Sequence, residues 1–481
     1  MAAHFAEPIP ARLLMWQRVR DYAVPPSMIE NATVRRAAGD WAGACAVARI
    51  DVDLDLRAVR DRHGTDFTTR LRADLRRLAP DLLRWNMPRI APDGRLRPGL
   101  TLSLARYGDR GPAAPQLVVR TPPAWAEAGQ RMSLALWEES RDGPPEHHPH
   151  PHPDRRFRLD LHRHLWDATR SAELARRHGA DAPYRPGNHA PTWPPDHWAH
   201  EAELLLTAEG RPRGAFTVRL GARSHCVLEL VAPDDSHAPV VRLVREEPAP
   251  QLAALPVLPE AAARGLPDLE LLRAGLVRAE RLHPLVAAAL CAPGVGGSAS
   301  GPGAVPDPGR PAGDSVPGPI DPHQVECLGE VHRIALRNGT LAAVDHDPAQ
   351  LAREELLMAL GGPGLPCLRA IDAVHRSPEA LPAVRERLGH GDVTGALAVV
   401  EGLLGPGAVL RDGPLREALE AAVAGRLDHG LFRAGLVPVH PAAAAAATGD
   451  TGHRPRLDRR LPWELRRKRG TRARPRTGLH S

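Results

Sequence analysis

The sequence predicts an α+β protein: an N-terminal helical segment and an antiparallel β-rich layer, then a linker and a smaller, mainly helical C-terminal module with one β-hairpin. Three observations lead there. Apolar residues recur every three or four positions through the first ninety-odd residues, as on the buried face of a helix. Short runs of strand composition, separated by Pro, Gly and Asp clusters, then follow as far as residue 250. Residues 292–320, rich in Gly, Pro and Ser with little to bury, interrupt the chain before a second set of helical patterns.

The expected organisation is therefore an α+β module over 1–291, helical over 1–95, β-rich over 96–250 and helical again over 251–291. A disordered linker over 292–320, a mainly helical module over 321–440 and a basic disordered tail over 441–481 complete it. Ser27-Met28-Ile29-Glu30 has the spacing of a capping box, and Gly39 fits a left-handed helix stop. Phe67, Leu71, Leu75 and Leu78 form one apolar stripe, with arginines between them and Pro80 after them. Strands are expected near Leu100 to Tyr107, Gln116 to Thr121, Arg131 to Trp137, Phe157 to Leu165, Ala215 to Leu220, Cys226 to Val231 and Val240 to Val244. Beyond the linker, Arg337-Asn338-Gly339 reads as a tight hairpin turn. Asp347-Pro348 and Ser377-Pro378-Glu379 read as helix starts, and Leu415 to Leu431 as a further helix. Gly39-Asp40-Trp41-Ala42-Gly43-Ala44 matches Gly391-Asp392-Val393-Thr394-Gly395-Ala396, which resembles the helical hairpin of tetratricopeptide-type repeats; two ordinary hairpins with the same turn chemistry explain the match as well.

Charge is unevenly placed. The chain carries +6, but residues 453–481 hold eleven Arg or Lys against two acids, so that segment is +9 and residues 1–452 are left at −3. The high pI belongs to the tail. Lys468 is the single lysine, an arginine bias that codon composition explains as well as any ligand does. The five cysteines, Cys45, Cys226, Cys291, Cys327 and Cys367, are widely spaced and lack a CxxC pair, which indicates neither a disulfide framework nor a cysteine zinc site. With no basic-then-apolar start and no run approaching ~20 apolar residues, the expected location is cytoplasmic, without a membrane span.

Four constellations could carry chemistry. Asp160, His162 and His164 lie two residues apart, so a strand over Phe157 to Leu165 would project all three from one face, a geometry that holds metals. Glu146-His147-His148-Pro149-His150-Pro151-His152-Pro153-Asp154 is dense in ligands, but its alternating prolines suit an extended loop that binds metal adventitiously. Asn188, His189, Trp193, Asp196, His197, Trp198 and His200 form an aromatic and His-rich patch in a Pro-rich connection. Asp51, Asp53 and Asp55 alternate with apolar residues and would gather on one side of a strand. Phosphate loops, dinucleotide fingerprints, zinc-protease motifs and nucleophile elbows are absent from the sequence.

The expected function is a non-catalytic interaction scaffold or adaptor with an unknown protein partner. A nucleic-acid-associated regulator is the alternative, with Arg466, Arg467, Lys468, Arg469, Arg472 and Arg474 contacting phosphates or an acidic partner without base specificity. A metal-dependent hydrolase is the third reading. No cofactor is expected, zinc at Asp160, His162 and His164 being the one candidate.

Overall fold

The computed structural model describes residues 9–108, 114–138, 152–178, 195–211, 213–220, 225–231, 240–244, 254–291, 324–327, 329–337, 340–362, 364–376, 381–405 and 409–436. The linker over 292–320, the tail from residue 441, the Asn338-Gly339 turn and the Ser377-Pro378-Glu379 helix start lie outside these residues. The chain divides into two compact units, Met1–Gly296 with Asp428–Ser481, and Gly297–Leu427. It is mixed α+β, as its patterning predicts.

The first unit begins with helices Ala11–Tyr22, Pro26–Ala37 and Trp41–Val47. Ser27 does not cap the second of these. Pro25 holds that position and Pro26 occupies the first turn, where its fixed φ suits a helix and its missing N–H costs nothing. Gly39, at φ 78°, reverses the chain, and Asp40 then accepts from the Gly43 amide at 2.8 Å. Strand β1 (Ile50–Asp53) precedes the helix Leu56–Arg77, in which Gly64 at φ 83° divides two helical stretches. After helix Pro80–Trp85 come the short hairpin β2 (Arg89–Ile90) and β3 (Arg95–Leu96), and then β4 (Thr101–Arg106), β5 (Gln116–Arg120) and β6 (Met132–Trp137). The four-stranded sheet runs β1-β6-β5-β4. The meander β4-β5-β6 is antiparallel, while β1 joins β6 in parallel with Ile50 opposite Met132.

Phe157 to Leu165 is not a strand. The amides of Leu161, His162 and Leu165 bond to the carbonyls of Arg158, Leu159 and His162, three residues back, so the segment is a series of turns ending in a 3-10 helix over Arg163–Leu165. Its apolar residues still reach the core: Phe157, Leu159 and Leu165 are buried with Leu71, Leu75, Leu102 and Trp166. Turn geometry met the same burial demand that an alternating strand would have met.

A second sheet, β7 (Gly214–Arg219), β8 (His225–Val231) and β9 (Val240–Leu243), is wholly antiparallel. Helix Pro195–Ala208 packs on it, so the stretch that includes Trp198 is not a loop connection. Trp198, Ala202, Leu205 and Leu206 repeat at helical spacing and bury against Phe216, Val218, Leu228 and Leu230. Helices Glu260–Ala263, Pro267–Arg273 and Pro284–Leu290 follow.

The second unit opens with β10 (Gln324–Cys327), β11 (Glu330–Arg337) and β12 (Thr340–Ala343), an antiparallel meander with one strand more than the expected hairpin. Helices Pro348–Ala359, Pro366–Arg376, Leu381–Gly389 and Val393–Leu404 follow, and helix Pro414–Arg433 continues to the end of the unit and beyond. Asp347 caps the first of them by accepting from the Ala349 amide at 3.4 Å. Among the described residues, no helix is long and apolar enough to cross a membrane.

Candidate metal centre

Three segments of the second unit converge. Cys327 closes β10, His346 lies in the turn after β12, and Cys367 is in the first turn of helix Pro366–Arg376, behind the proline that starts it. Local chemistry holds each segment in place. The turn carrying His346 is clamped to β11 by Asp345, which accepts from the Arg333 backbone amide at 2.7 Å and from its guanidinium at 2.9 Å. The Val344 amide donates to the Arg333 carbonyl at 3.0 Å beside that clamp. The Arg333 hydrogen bonds hold the Asp345 carboxyl down at about 2, so it stays an anion that keeps the clamp closed at neutral pH.

The candidate ligand atoms of Cys327, His346 and Cys367 all lie within 4.8 Å of one another. Among the described residues this is the one group of three His, Cys, Asp or Glu side chains so gathered. Both cysteines are 0% exposed and His346 is 8% exposed. Burial, with the neighbouring Cys327 thiol, pushes the Cys367 thiol up to about 11. The His332 ring stacks on His346 with centroids 4.0 Å apart and planes 14° from parallel. His346 Nε2 and His332 Nδ1, both shut from solvent, have no hydrogen-bond partner among the described residues. A buried polar nitrogen left so costs about 1–3 kcal/mol, and folded proteins seldom retain one without cause. Two thiols and an imidazole form a donor set suited to a soft or borderline cation. This group could bind a metal.

The sequence-based candidates behave differently. Asp160 holds Arg158 through two bonds of 2.8 Å. His162 lies 3.0 Å from Glu201 through Nε2 and 3.0 Å from the Arg158 carbonyl through Nδ1. His164 sits with Nε2 3.3 Å from His178 Nε2. Burial first, then the positive fields of His178, His162 and Arg177, holds His164 well below its usual value, so its imidazole is neutral at pH 7. Asp160 thus faces an arginine while His162 faces a carboxylate, and the three do not gather as one ligand set. The turns of the 157–165 segment point successive side chains in different directions, where a strand would have aligned alternate ones.

Asp51 binds Arg131, Asp53 pairs with Arg433 at 2.7 Å, and Asp55 caps helix Leu56–Arg77 by accepting from the Arg57 amide at 2.8 Å. These acids are occupied by arginine and backbone. Glu146 to Pro151 lies outside the described residues; His152 beyond it stands edge-on to Trp137, with ring centroids 5.7 Å apart. Asn188, His189 and Trp193 also lie outside, Trp198 is core and His200 is exposed on its helix. The basic residues Arg466, Arg467, Lys468, Arg469, Arg472 and Arg474 lie outside the described residues as well.

Sequence reasoning set Cys327 and Cys367 aside because no CxxC pair was present. Their partner is a histidine, and intervals of eighteen and twenty residues separate the three positions. The available signals were positional: a cysteine ending a strand, a histidine directly before an Asp-Pro helix start, and a cysteine directly after a Pro. Comparison with protein families finds no matching family model, and comparisons with curated proteins and with solved structures find no match.

Proposed function

We propose that the protein is a non-catalytic interaction scaffold whose second unit is held together by a zinc ion bound to Cys327, His346 and Cys367. The observation that carries this reading is a buried dithiol-imidazole group with an unpartnered ring nitrogen at the junction of sheet and helix. A tetrahedral zinc sets its sulfur and nitrogen ligands roughly 3.4–3.8 Å apart, a modest contraction of the group. The ion would tie β10, the turn after β12 and the first turn of helix Pro366–Arg376 into one body, a structural use of zinc in a small unit. His332, already stacked against His346, is the nearest candidate for a fourth ligand.

Three ligands and an open position also describe catalytic zinc, but a catalytic ion needs a route for substrate. The two fully buried cysteines and the nearly buried His346 favour the structural role. A partner surface is available on the same unit: Leu356 is 62% and Leu360 is 78% exposed along and just beyond helix Pro348–Ala359. Side chains of that size are worth roughly 1.5–3 kcal/mol each when fully buried, so a protein partner that covered them would gain substantially.

The test is metal analysis of the purified full-length protein beside Cys327→Ser and Cys367→Ser. One zinc per chain is expected, lost in both variants together with helical signal and with retention of the partner. A zinc that a strong chelator removes without any change in melting or in circular dichroism would refute the structural role.

A further inference from the structure

The first unit contains a half-open cavity of about 380 Å³, within the size range of small-molecule sites. Its wall comes from helix Ala11–Tyr22, the β2–β3 hairpin region, the turns over 156–165 and the segment around Glu260 to Pro267. Seven arginines contribute to that wall. Four of them are neutralised by carboxylates outside it: Arg12 by Glu270, Arg20 by Asp268, Arg156 by Asp154 and Arg158 by Asp160.

The other three are Arg89, Arg97 and Arg264, and Glu260 is the one acid in the wall among the described residues. Arg89 is 9% exposed. Its guanidinium donates to the Arg84 carbonyl at 2.6 Å and marginally to the Gly94 carbonyl at 3.5 Å, while its Nε has no partner among the described residues. Burial, then repulsion from Arg20, brings it down to about 9, the response of a cation in want of a counter-anion. Arg97 is partly buried and feels Glu260 as its largest attraction, and its guanidinium has no hydrogen bond among the described residues. Arg84 is also fully buried without a carboxylate, but its guanidinium is directed to the carbonyls of Ala23 and Gln130 at 3.1 and 2.6 Å and takes no part in the wall. What sets Arg89 apart is its position in the cavity wall together with an Nε that no described residue partners.

Among the described residues, three guanidiniums without an ion-pair partner against one carboxylate leave a surplus of about two positive charges, which matches a dianion better than a carboxylate. The rest of the wall is largely apolar, with Met15, Trp16, Leu102 and Phe157 available to an aromatic or aliphatic body. We propose that this cavity binds a small organic phosphate monoester, its phosphate drawn to Arg89, Arg97 and Arg264 and its apolar body lying against Trp16 and Phe157. This site belongs to the first unit and is independent of the metal centre.

Calorimetric titration of the full-length protein with 1-naphthyl phosphate, with 1-naphthoate and inorganic phosphate as comparisons, tests the assignment. The monoester is expected to bind at least tenfold more tightly than either comparison, because only it supplies both the dianion and the body. Arg97→Ala and Arg264→Ala, at positions that do not belong to the core, are expected to weaken it by about tenfold each. Circular dichroism of both variants checks that the fold is retained. Absence of monoester binding, binding unchanged in both variants, or naphthoate binding as tightly as the monoester would overturn the proposal.

Discussion

Two buried polar groups, one in each unit, are handled in opposite ways. In the first, Arg20 grips Asp268 through Nε at 2.8 Å and a terminal nitrogen at 2.6 Å, both side chains being 1% exposed or less. Trp85 adds its indole N–H to Asp268 at 3.0 Å and accepts from Arg20 at its carbonyl at 2.7 Å. Arg177 and His162 close on Glu201 in the same fashion, Arg177 with two bonds of 2.6 Å. Among the described residues the Arg20, Asp268 and Trp85 network leaves no buried polar side-chain atom without a partner. The Cys327, His346 and Cys367 group of the second unit is equally buried but leaves a ring nitrogen open. A closed network explains itself as structure, whereas an open one points to a missing partner, and the open Arg89 Nε in the cavity wall of the first unit falls on the same side as the cysteine-histidine group.

The largest effect expected from breaking this contrast is on the open side. A structural zinc of the kind proposed would contribute apparent binding free energy on the order of 10 kcal/mol, so chelation or Cys367→Ser should then unfold the second unit at 37 °C. Loss of the corresponding helical signal, with the melting of the first unit retained, checks it. On the closed side, Asp268→Ala strands a buried arginine and should destabilise the first unit by about 3–5 kcal/mol, measured as a shift in the urea midpoint. The double change Arg20→Met with Asp268→Leu should recover most of that loss, because two apolar groups leave no charge unpaired.

Glu201 offers a pH test of another buried arginine–carboxylate pair of the first unit. Burial alone would raise its carboxyl, but hydrogen bonds from His162 and Arg177 outweigh that and hold it down at about 2, from an unfolded value of 4.5. A carboxyl depressed in the folded state stabilises the protein above its unfolded value, and that contribution is lost as pH falls from about 4.5 towards 2. The stability gap between wild type and Glu201→Gln, followed by urea denaturation, should therefore be full at pH 7 and shrink steadily below pH 4.5. A gap that did not vary with pH would remove the carboxylate from the account.

The smallest effects concern two helical hairpins built alike in the two units. Asp40 accepts from the Gly43 amide and pairs with Arg35 at 2.8 Å; Asp392 accepts from the Gly395 amide at 3.2 Å and pairs with Arg387 at 2.9 Å. The preceding glycines sit at φ 78° and 79°. A Cβ on Gly43 or Gly395 would come within 2.0 or 2.1 Å of the capping carboxylate, which is why glycine recurs three residues after each Asp. Asp40→Ala and Asp392→Ala should each lower the melting temperature, Asp392→Ala by the equivalent of about 1 kcal/mol. The larger loss is expected at Asp392, whose side chain is 7% exposed against 45% for Asp40, since solvent screens the exposed pair more.

These hairpins were legible in the sequence because their chemistry is local: a glycine, a capping acid and a second glycine act within six residues. The arginine five positions before each Asp belongs to the same device and was there to be read. The helical and strand runs of the N-terminal module were legible for a similar reason, apolar spacing and turn residues being short-range signals. The turns over Phe157 to Leu165 were not, because alternation of apolar residues specifies burial without specifying how the backbone meets it. Helix Pro195–Ala208 was hidden behind the prolines at its start, although Trp198, Ala202, Leu205 and Leu206 carried the helical period.

The sequence by itself determined the α+β class, the mildly acidic body with its basic tail, and the two matched hairpins, all properties of composition or of neighbours along the chain. Tertiary structure alone decided that Cys327, His346 and Cys367 meet, and that Arg89, Arg97 and Arg264 face one cavity across 175 residues of chain. The reason is physical. A ligand set or a binding wall depends on which distant segments the core draws together, and no local pattern encodes that distance.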